Sequence, residues 1–229
     1  MKLSVLIPVY NEAATITHVV EQVMAVNIDK EIIIVDDGST DSTWQVVQEL
    51  AARWPEVVKP LRHERNRGKG AALQTAVAHV TGDVVITQDA DLEYDPTEYP
   101  HLLEPFTSPE VQVVYGSRNL RRNPRSSWSF YWGGRLLSWL ANLLYGSRIT
   151  DEATGYKLFR SDLFRSLDIQ SDGFEFCPEV TAKILRRGIH IHEVPISYQP
   201  RSREEGKKIN WRDGLVAIWT LIRYRFFGE

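Results

Sequence analysis

The sequence predicts an α/β fold, a mostly parallel sheet flanked by helices, and three observations lead there. Short apolar runs alternate with stretches of helical spacing through the first half of the chain. The runs are apolar at consecutive positions, as expected of strands covered on both faces. Acidic residues then gather where the runs end, and the carboxyl ends of parallel strands are where such sheets bind ligands.

Taken in order, LSVLIPVY (3–10), EIIIVDD (31–37), VVKPLRH (57–63) and DVVITQD (83–89) read as buried strands. Between them, residues 13–26, 39–54 and 69–80 carry helical spacing, with Ser39, Thr40 and Asp41 as caps for the second helix. A βαβαβαβ series of this kind gives a parallel sheet with helices on both sides. Further on, 111–117, 154–160 and 189–198 read as strands, and 133–146 and 175–188 as helices that extend the sheet and wall its open end. Residues 201–210 form a polar, Gly-containing stretch expected to be a mobile loop, before a last amphipathic helix at 215–227. With no repeat or low-complexity linker, one domain over 1–229 is expected. It comprises a ligand-binding half (1–116), a second half (117–200), the loop (201–212) and a terminal helix (213–229).

Composition limits the function. The chain of 229 residues has a formal net charge of −3, so nucleic acid is not an expected partner. Charge is unevenly spread, however: Arg118, Arg121, Arg122, Arg125 and Arg135 fall in a segment without any acid, and residues 201–225 carry seven basic side chains against three acids. The single cysteine, Cys177, excludes an intrachain disulfide and fits a reducing compartment. No signal peptide is visible, and no run approaches the roughly 20 apolar residues of a membrane span. A cytoplasmic protein associated peripherally with a membrane is expected.

Four carboxylates, Asp89, Asp91, Glu93 and Asp95, follow the fourth strand within seven positions. Like charges this close repel, so the cluster is costly unless a cation sits among them. An Asp-x-Asp pair suits a hard divalent ion that keeps positions open for phosphate and water, with Glu93 at the same spacing as a third ligand. Asp95, before Pro96, reads as a helix cap. A second acid pair, Asp36 and Asp37, precedes Gly38 at another strand end and suits either a base or ribose contact or simple capping. Glu12 in PVYNE has the same two readings. In NRGKGAAL (66–73), Arg67 and Lys69 lie at a glycine-rich helix start suited to phosphate, although Gly70 rules out a P-loop. His190 and His192 share a strand face without further ligands, and Cys177 has no neighbouring base, so both read as structural.

Together PVYNE, VDDGS, NRGKGAAL, QDADLEYDP and TGYKLF, in this order and spacing, resemble family 2 glycosyltransferases with the Rossmann-like GT-A fold. The nearest likeness is to polyprenyl-phosphate (dolichyl-phosphate) mannosyl- and glucosyltransferases, and GFEFCPEVTAKILRRGIHIHEVPISY and GKKINWRDG extend it over essentially the whole chain. The resemblance implies a nucleotide-sugar donor, GDP- or UDP-linked, held by Pro8, Tyr10, Glu12, Asp36, Asp37, Lys69, Asp89 and Ala90. It also implies Mg²⁺ or Mn²⁺ on Asp89 and Asp91, with Glu93, and a polyprenyl phosphate acceptor. The sequence ends at Glu229 without the spanning helices often found after this domain, so reversible anchoring is expected, with room for a separate membrane-protein partner.

Loss of a nucleoside diphosphate builds charge on its β-phosphate, which the metal and Lys69 or Arg118 would stabilise. A lipid phosphate is already an anionic nucleophile, so a dedicated base is dispensable. Asp151 and Glu175 are then expected to contact sugar hydroxyls or orient the acceptor, and one direct displacement inverts the anomeric carbon. Arg121, Arg122, Arg125, Arg135, Lys207 and Lys208, near Trp128, Phe130, Tyr131 and Trp132, are the candidates for the lipid phosphate and an anionic membrane surface. Three rivals remain: a carbohydrate-hydroxyl acceptor with Asp151 or Glu175 as base, a nucleotidyltransferase, and a non-catalytic nucleotide-sugar-binding module.

Overall fold

A computed structural model describes residues 1–124, 128–201 and 211–228, without the side chains of Ser129 and Phe130. Arg125, Lys207 and Lys208, and all of the expected loop except Arg201 and 211–212, lie outside the described residues.

Seven strands form one sheet in the order β3-β2-β1-β4-β6-β5-β7. They are β1 (Leu3–Val9), β2 (Lys30–Asp36), β3 (Val58–Arg62), β4 (Val84–Thr87), β5 (Val113–Ser117), β6 (Lys157–Arg160) and β7 (Ile191–Pro195). β1 pairs in parallel with β2 and β4, and β2 with β3. The single reversed strand is β6, antiparallel to both β4 and β5, while β5 and β7 are parallel. The carboxyl ends of β1, β2 and β4 therefore open on one edge of the sheet.

Helices cover both faces because strand side chains alternate. Leu3, Val5, Ile7 and Val9 of β1 join one core with Ile16, Val19, Val20 and Val23 of α1 (Ile16–Ala25) and Val47 and Leu50 of α2 (Thr43–Arg53). Those α1 positions follow the spacing that makes one apolar helix stripe. Leu6 points the other way, into a core with α3 (Lys69–Val77), α5 (Trp128–Tyr145), α6 (Ser161–Ser166), α7 (Phe176–Arg186) and α8 (Trp211–Phe226). Not expected from the sequence are α4 (Tyr99–Leu103), with short 3₁₀ turns on either side of it, and α6. Both are only five or six residues long, too short to show a helical period. Asp95 does cap the first 3₁₀ turn, accepting the Thr97 N–H at 2.9 Å. Asp41 accepts the Thr43 N–H at 2.9 Å just before α2.

Candidate active site

The strand ends surround a cavity of about 1360 Å³, large enough for a nucleotide with a further group attached. Pro8 lines it from β1, Tyr10 from just beyond that strand, Lys69 from the start of α3, and Asp89, Ala90 and Asp91 from the loop after β4. Asn11, at φ 50°, makes the turn after β1. Its Oδ1 accepts the Thr40 N–H at 2.8 Å and its own N–H donates to Ser39 Oγ at 2.9 Å, which joins the first two loops. Ala90 is buried, and its carbonyl accepts from Thr15 Oγ1 at 2.6 Å, which fixes the acidic loop against α1. Within that loop Leu92 adopts φ 62°, a strained conformation for a branched side chain that aims the acids on either side of it.

The acids are balanced by two cations. Lys69 Nζ donates to Asp89 Oδ1 at 2.5 Å. Burial opposes the ammonium charge, but Asp89 more than offsets it and raises the Lys69 pKa. Asp91 is pushed up to about 7 by burial and by repulsion from Asp89 and Glu93, with Arg201 opposing. Arg201 grips Glu12 through two contacts of 3.1 and 3.2 Å and reaches Asp91 Oδ2 at 3.5 Å. Sequence reading missed Arg201 because its partner Glu12 lies 189 positions away.

This donor set fits a divalent ion. Asp89 and Asp91 offer hard carboxylate oxygens from one loop, and a dication would relieve the repulsion that raises Asp91. Glu93, which the sequence suggested as the third ligand of a triad, has each of its oxygens turned to a partner outside the Asp pair. Oε2 accepts from the Tyr198 hydroxyl at 2.8 Å and Oε1 from the Arg201 N–H at 2.7 Å, so Glu93 instead holds the 198–201 segment against the acidic loop. Among the described residues, no group of three or more His, Cys, Asp or Glu could hold an ion.

Other expectations are refined in the same way. Asp37 lines the cavity and also ties down the following loop: Oδ1 accepts the Arg67 N–H at 2.9 Å and meets His63 Nδ1 at 2.7 Å, and Oδ2 accepts the Gly68 N–H at 2.7 Å. These bonds, and the Ala71 N–H donating to the Asp172 carbonyl at 3.0 Å, use three of the backbone N–H groups around the helix start that the sequence suggested for phosphate. Gly68 is required there, since φ is +104° and a Cβ would lie 2.3 Å from that carbonyl. Asp36 is fully buried behind the loop. Its Oδ1 accepts the Ser39 N–H at 3.2 Å, while Oδ2 lies 3.2 Å from Arg62 Nε but out of line, and so has no hydrogen-bond partner.

Asp151 is a clamp. Its Oδ2 accepts from the Arg118 N–H (2.9 Å) and Nε (2.7 Å), and its Oδ1 from Nη2 (2.7 Å), with 1% of its side chain exposed. Asp151 lines the cavity, and Arg118 reaches it with its charge already partnered. Glu175 does not line the cavity; Oε1 accepts the Gly173 N–H at 3.1 Å just before α7. A different acid, Glu152, lies in the cavity wall instead.

The cavity runs on past Arg118 to Arg121, Arg122 and Arg135 and then to α8. Arg121 is exposed and partly engaged, with Nη1 3.1 Å from Glu98 and 2.9 Å from Ser197 Oγ. Beyond it, α5 exposes Trp128, Trp132, Leu136, Trp139 and Leu143, and its neighbour α8 exposes Trp211, Leu215 and Trp219. No helix among the described residues is long and apolar enough to cross a membrane.

Known proteins share this plan. A dolichol-phosphate mannosyltransferase of Pyrococcus furiosus is 29% identical over 216 residues, covering 90% of this chain and 59% of the relative. An undecaprenyl-phosphate mannosyltransferase of Micrococcus luteus is 28% identical, covering 98% of this chain and 99% of the relative. The chain spans about half to two thirds of the length of other such relatives, 52% and 65% in two cases. A glucosyl-3-phosphoglycerate synthase from Mycobacterium tuberculosis, solved with Mn²⁺ and UDP-glucose, superposes with a TM-score of 0.74 at 23% identity over 98% of this chain and 80% of that one. That likeness establishes the GT-A fold. Residues 4–168, well over half of the chain, match the family described as Glycosyl transferase family 2, so the chain belongs to glycosyl transferase family 2.

Proposed function

We propose that this chain is the catalytic domain of an inverting transferase that moves a hexose, mannose or glucose, from a GDP- or UDP-linked donor to a polyprenyl phosphate at a membrane surface. One observation carries the reading: a single cavity begins at the acidic pair Asp89 and Asp91 and ends among arginines beneath two helices with exposed tryptophans. A polar donor suits one end and a lipid bearing a phosphate suits the other. The names of the Pyrococcus and Micrococcus relatives support the same acceptor class.

In this reading Pro8, Tyr10 and Asp37, which line the cavity, bound the nucleoside and Glu12 meets its ribose after releasing Arg201. Asp89 and Asp91 hold Mg²⁺ or Mn²⁺, which when bound supplies positive charge to the diphosphate leaving group. Lys69 adds its ammonium beside Asp89, and Arg118, fixed by Asp151, presents a positioned guanidinium edge to the same region. With Asp151 given over to Arg118 and Glu175 outside the cavity, neither of the acids suggested by the sequence is poised as the base that a hydroxyl acceptor needs. A phosphate monoester needs none. Its anionic oxygen forms the new bond to the anomeric carbon as the bond to the β-phosphate oxygen breaks, which gives inversion.

The exposed stripe of α5 repeats at three- and four-residue intervals, so its Trp and Leu side chains face outward together, next to the α8 stripe. Aromatic side chains of this kind favour the headgroup level of a bilayer, and Arg121, Arg122 and Arg135 at the cavity mouth suit a phosphate. The reading therefore makes the domain peripheral to the membrane. The test incubates the protein with labelled UDP-glucose or GDP-mannose, Mg²⁺ or Mn²⁺, and polyprenyl phosphate in vesicles. Label extracted with the lipid supports the reading, and label that stays in the donor with every pair refutes it.

A further inference from the structure

The buried acid that the mechanism leaves unused is Glu152, and we propose that it is a positioning residue for the donor sugar, taking a hydroxyl of the transferred hexose as a hydrogen-bond partner and so setting sugar preference. This inference rests on the nucleotide-sugar reading above.

Glu152 lies on a short loop whose other members are all tied to the reaction centre. Asp151 fixes Arg118, and Gly155 packs so closely on Asp89 that a Cβ would meet its Oδ2 at 2.6 Å. Glu152 itself is 0% exposed and belongs to the cavity wall. Its backbone is held at both polar groups: the N–H donates to Ser138 Oγ at 2.9 Å, and the carbonyl accepts from Lys157 Nζ at 2.5 Å. Its Oε1 accepts from Thr181 Oγ1 at 3.2 Å, and Thr181 is hydrogen-bonded in turn to the Tyr115 hydroxyl at 3.0 Å. Only Oε2 lacks a hydrogen-bond partner.

Buried carboxyl oxygens without partners are rare in folded proteins, and one in a cavity wall calls for a partner such as a bound water, an ion or a ligand group. A sugar hydroxyl is the partner that suits this one, because it both donates and accepts. Burial pushes the Glu152 carboxyl up while the nearby Lys157 ammonium pulls it down, and a hydroxyl satisfies either form. Thr181 holds the side chain through Oε1, and Lys157, fully buried with its Nζ 3.9 Å from the Tyr115 ring centre, holds the backbone carbonyl before the sugar arrives. A site built around one hydroxyl discriminates strongly against a donor that lacks it.

The test compares binding of UDP and GDP with binding of UDP-glucose, GDP-mannose and their 2-, 3-, 4- and 6-deoxy analogues, by calorimetry with Mn²⁺, for the parent and for Glu152→Ala and Glu152→Gln. Glu152→Ala is expected to lose about tenfold or more in affinity for the nucleotide sugar while its affinity for the bare nucleotide stays within about twofold. One deoxy donor should bind the parent as weakly as the complete donor binds the variant, and the variant should not distinguish the two. Equal loss for nucleotide and nucleotide sugar, or no loss for either, overturns the inference by assigning Glu152 to the fold or to a bound water. Should Glu152→Ala fail to fold, Glu152→Gln decides: an unchanged ranking of the deoxy donors overturns the inference, and a changed ranking supports it. A parent that binds none of these nucleotides removes the donor reading itself, an outcome distinct from a parent that binds them and a variant that matches it.

Discussion

Replacing Asp151 with Ala separates a structural clamp from a catalytic base. The side chain accepts three hydrogen bonds from Arg118 at 2.7 to 2.9 Å and is 1% exposed, so its loss strands a guanidinium that was fully compensated. Removing one partner of a buried pair costs about 3–5 kcal/mol. Arg118 keeps 22% exposure, so water can partly solvate it and the low end, about 3 kcal/mol, is expected. For a chain of this size that corresponds to a fall in Tm of about 6–12 °C. The double variant Arg118→Met with Asp151→Leu removes both charges and should recover much of the loss. Calorimetric or circular-dichroism melts of the two variants beside the parent provide the assay. An Asp151→Ala protein that melts within about 1 °C of the parent yet has lost turnover would refute the clamp and restore the base.

At the opposite end of the sheet, burial would raise the Glu31 pKa, but hydrogen bonds from Ser4 and Thr81 with the charge of Lys2 hold it at about 2 against an ordinary 4.5. A depressed folded pKa stabilises the protein above 4.5 and loses that effect as pH falls toward 2. After discounting for its partly exposed lysine partners, Glu31→Gln should cost about 2 kcal/mol at pH 7, with the gap between parent and variant melts closing in that acid window. Asp91→Asn removes one of the repelling carboxylates, so transfer should vanish while Tm in metal-free buffer at pH 8 is no lower than the parent's; a clear fall in Tm contradicts the repulsion. The pair Trp132→Ser and Trp139→Ser removes exposed rings that would each bury about 100 Å² in a bilayer, worth about 2.5 kcal/mol. Vesicle co-sedimentation should therefore drop more than about tenfold with an unchanged melt, and equal binding excludes this face as the membrane contact.

The sheet was readable because its strands are continuous apolar runs, and the position of Asp89 and Asp91 at the cavity was readable because strand ends can be counted along the chain. The reversal of β6 was not, since KLFR pairs in either direction with equal burial and only the route of the chain sets its sense. Roles that depend on partners were least readable. The sequence offers Asp151 as a sugar or acceptor contact, and as a base for a hydroxyl acceptor, but not its clamp on Arg118, 33 positions away, and it offers Glu93 as a metal ligand without its bonds to Tyr198 and Arg201. Glu152 went unnoticed because an acid inside TDEATG carries no periodic or motif signal. Only its burial and its unpartnered oxygen distinguish it.

The central claim is that a lipid phosphate, rather than a hydroxyl, attacks the sugar. It is tested most directly by offering the protein, with its preferred nucleotide sugar and divalent metal, three acceptors in parallel: a polyprenyl phosphate, the corresponding polyprenol, and a soluble glycan. The account predicts product from the polyprenyl phosphate alone, with the hexose β-linked when the donor is α-linked, as read by NMR of the purified glycolipid. Comparable product from the polyprenol or the glycan, or retention of the α configuration, would contradict it.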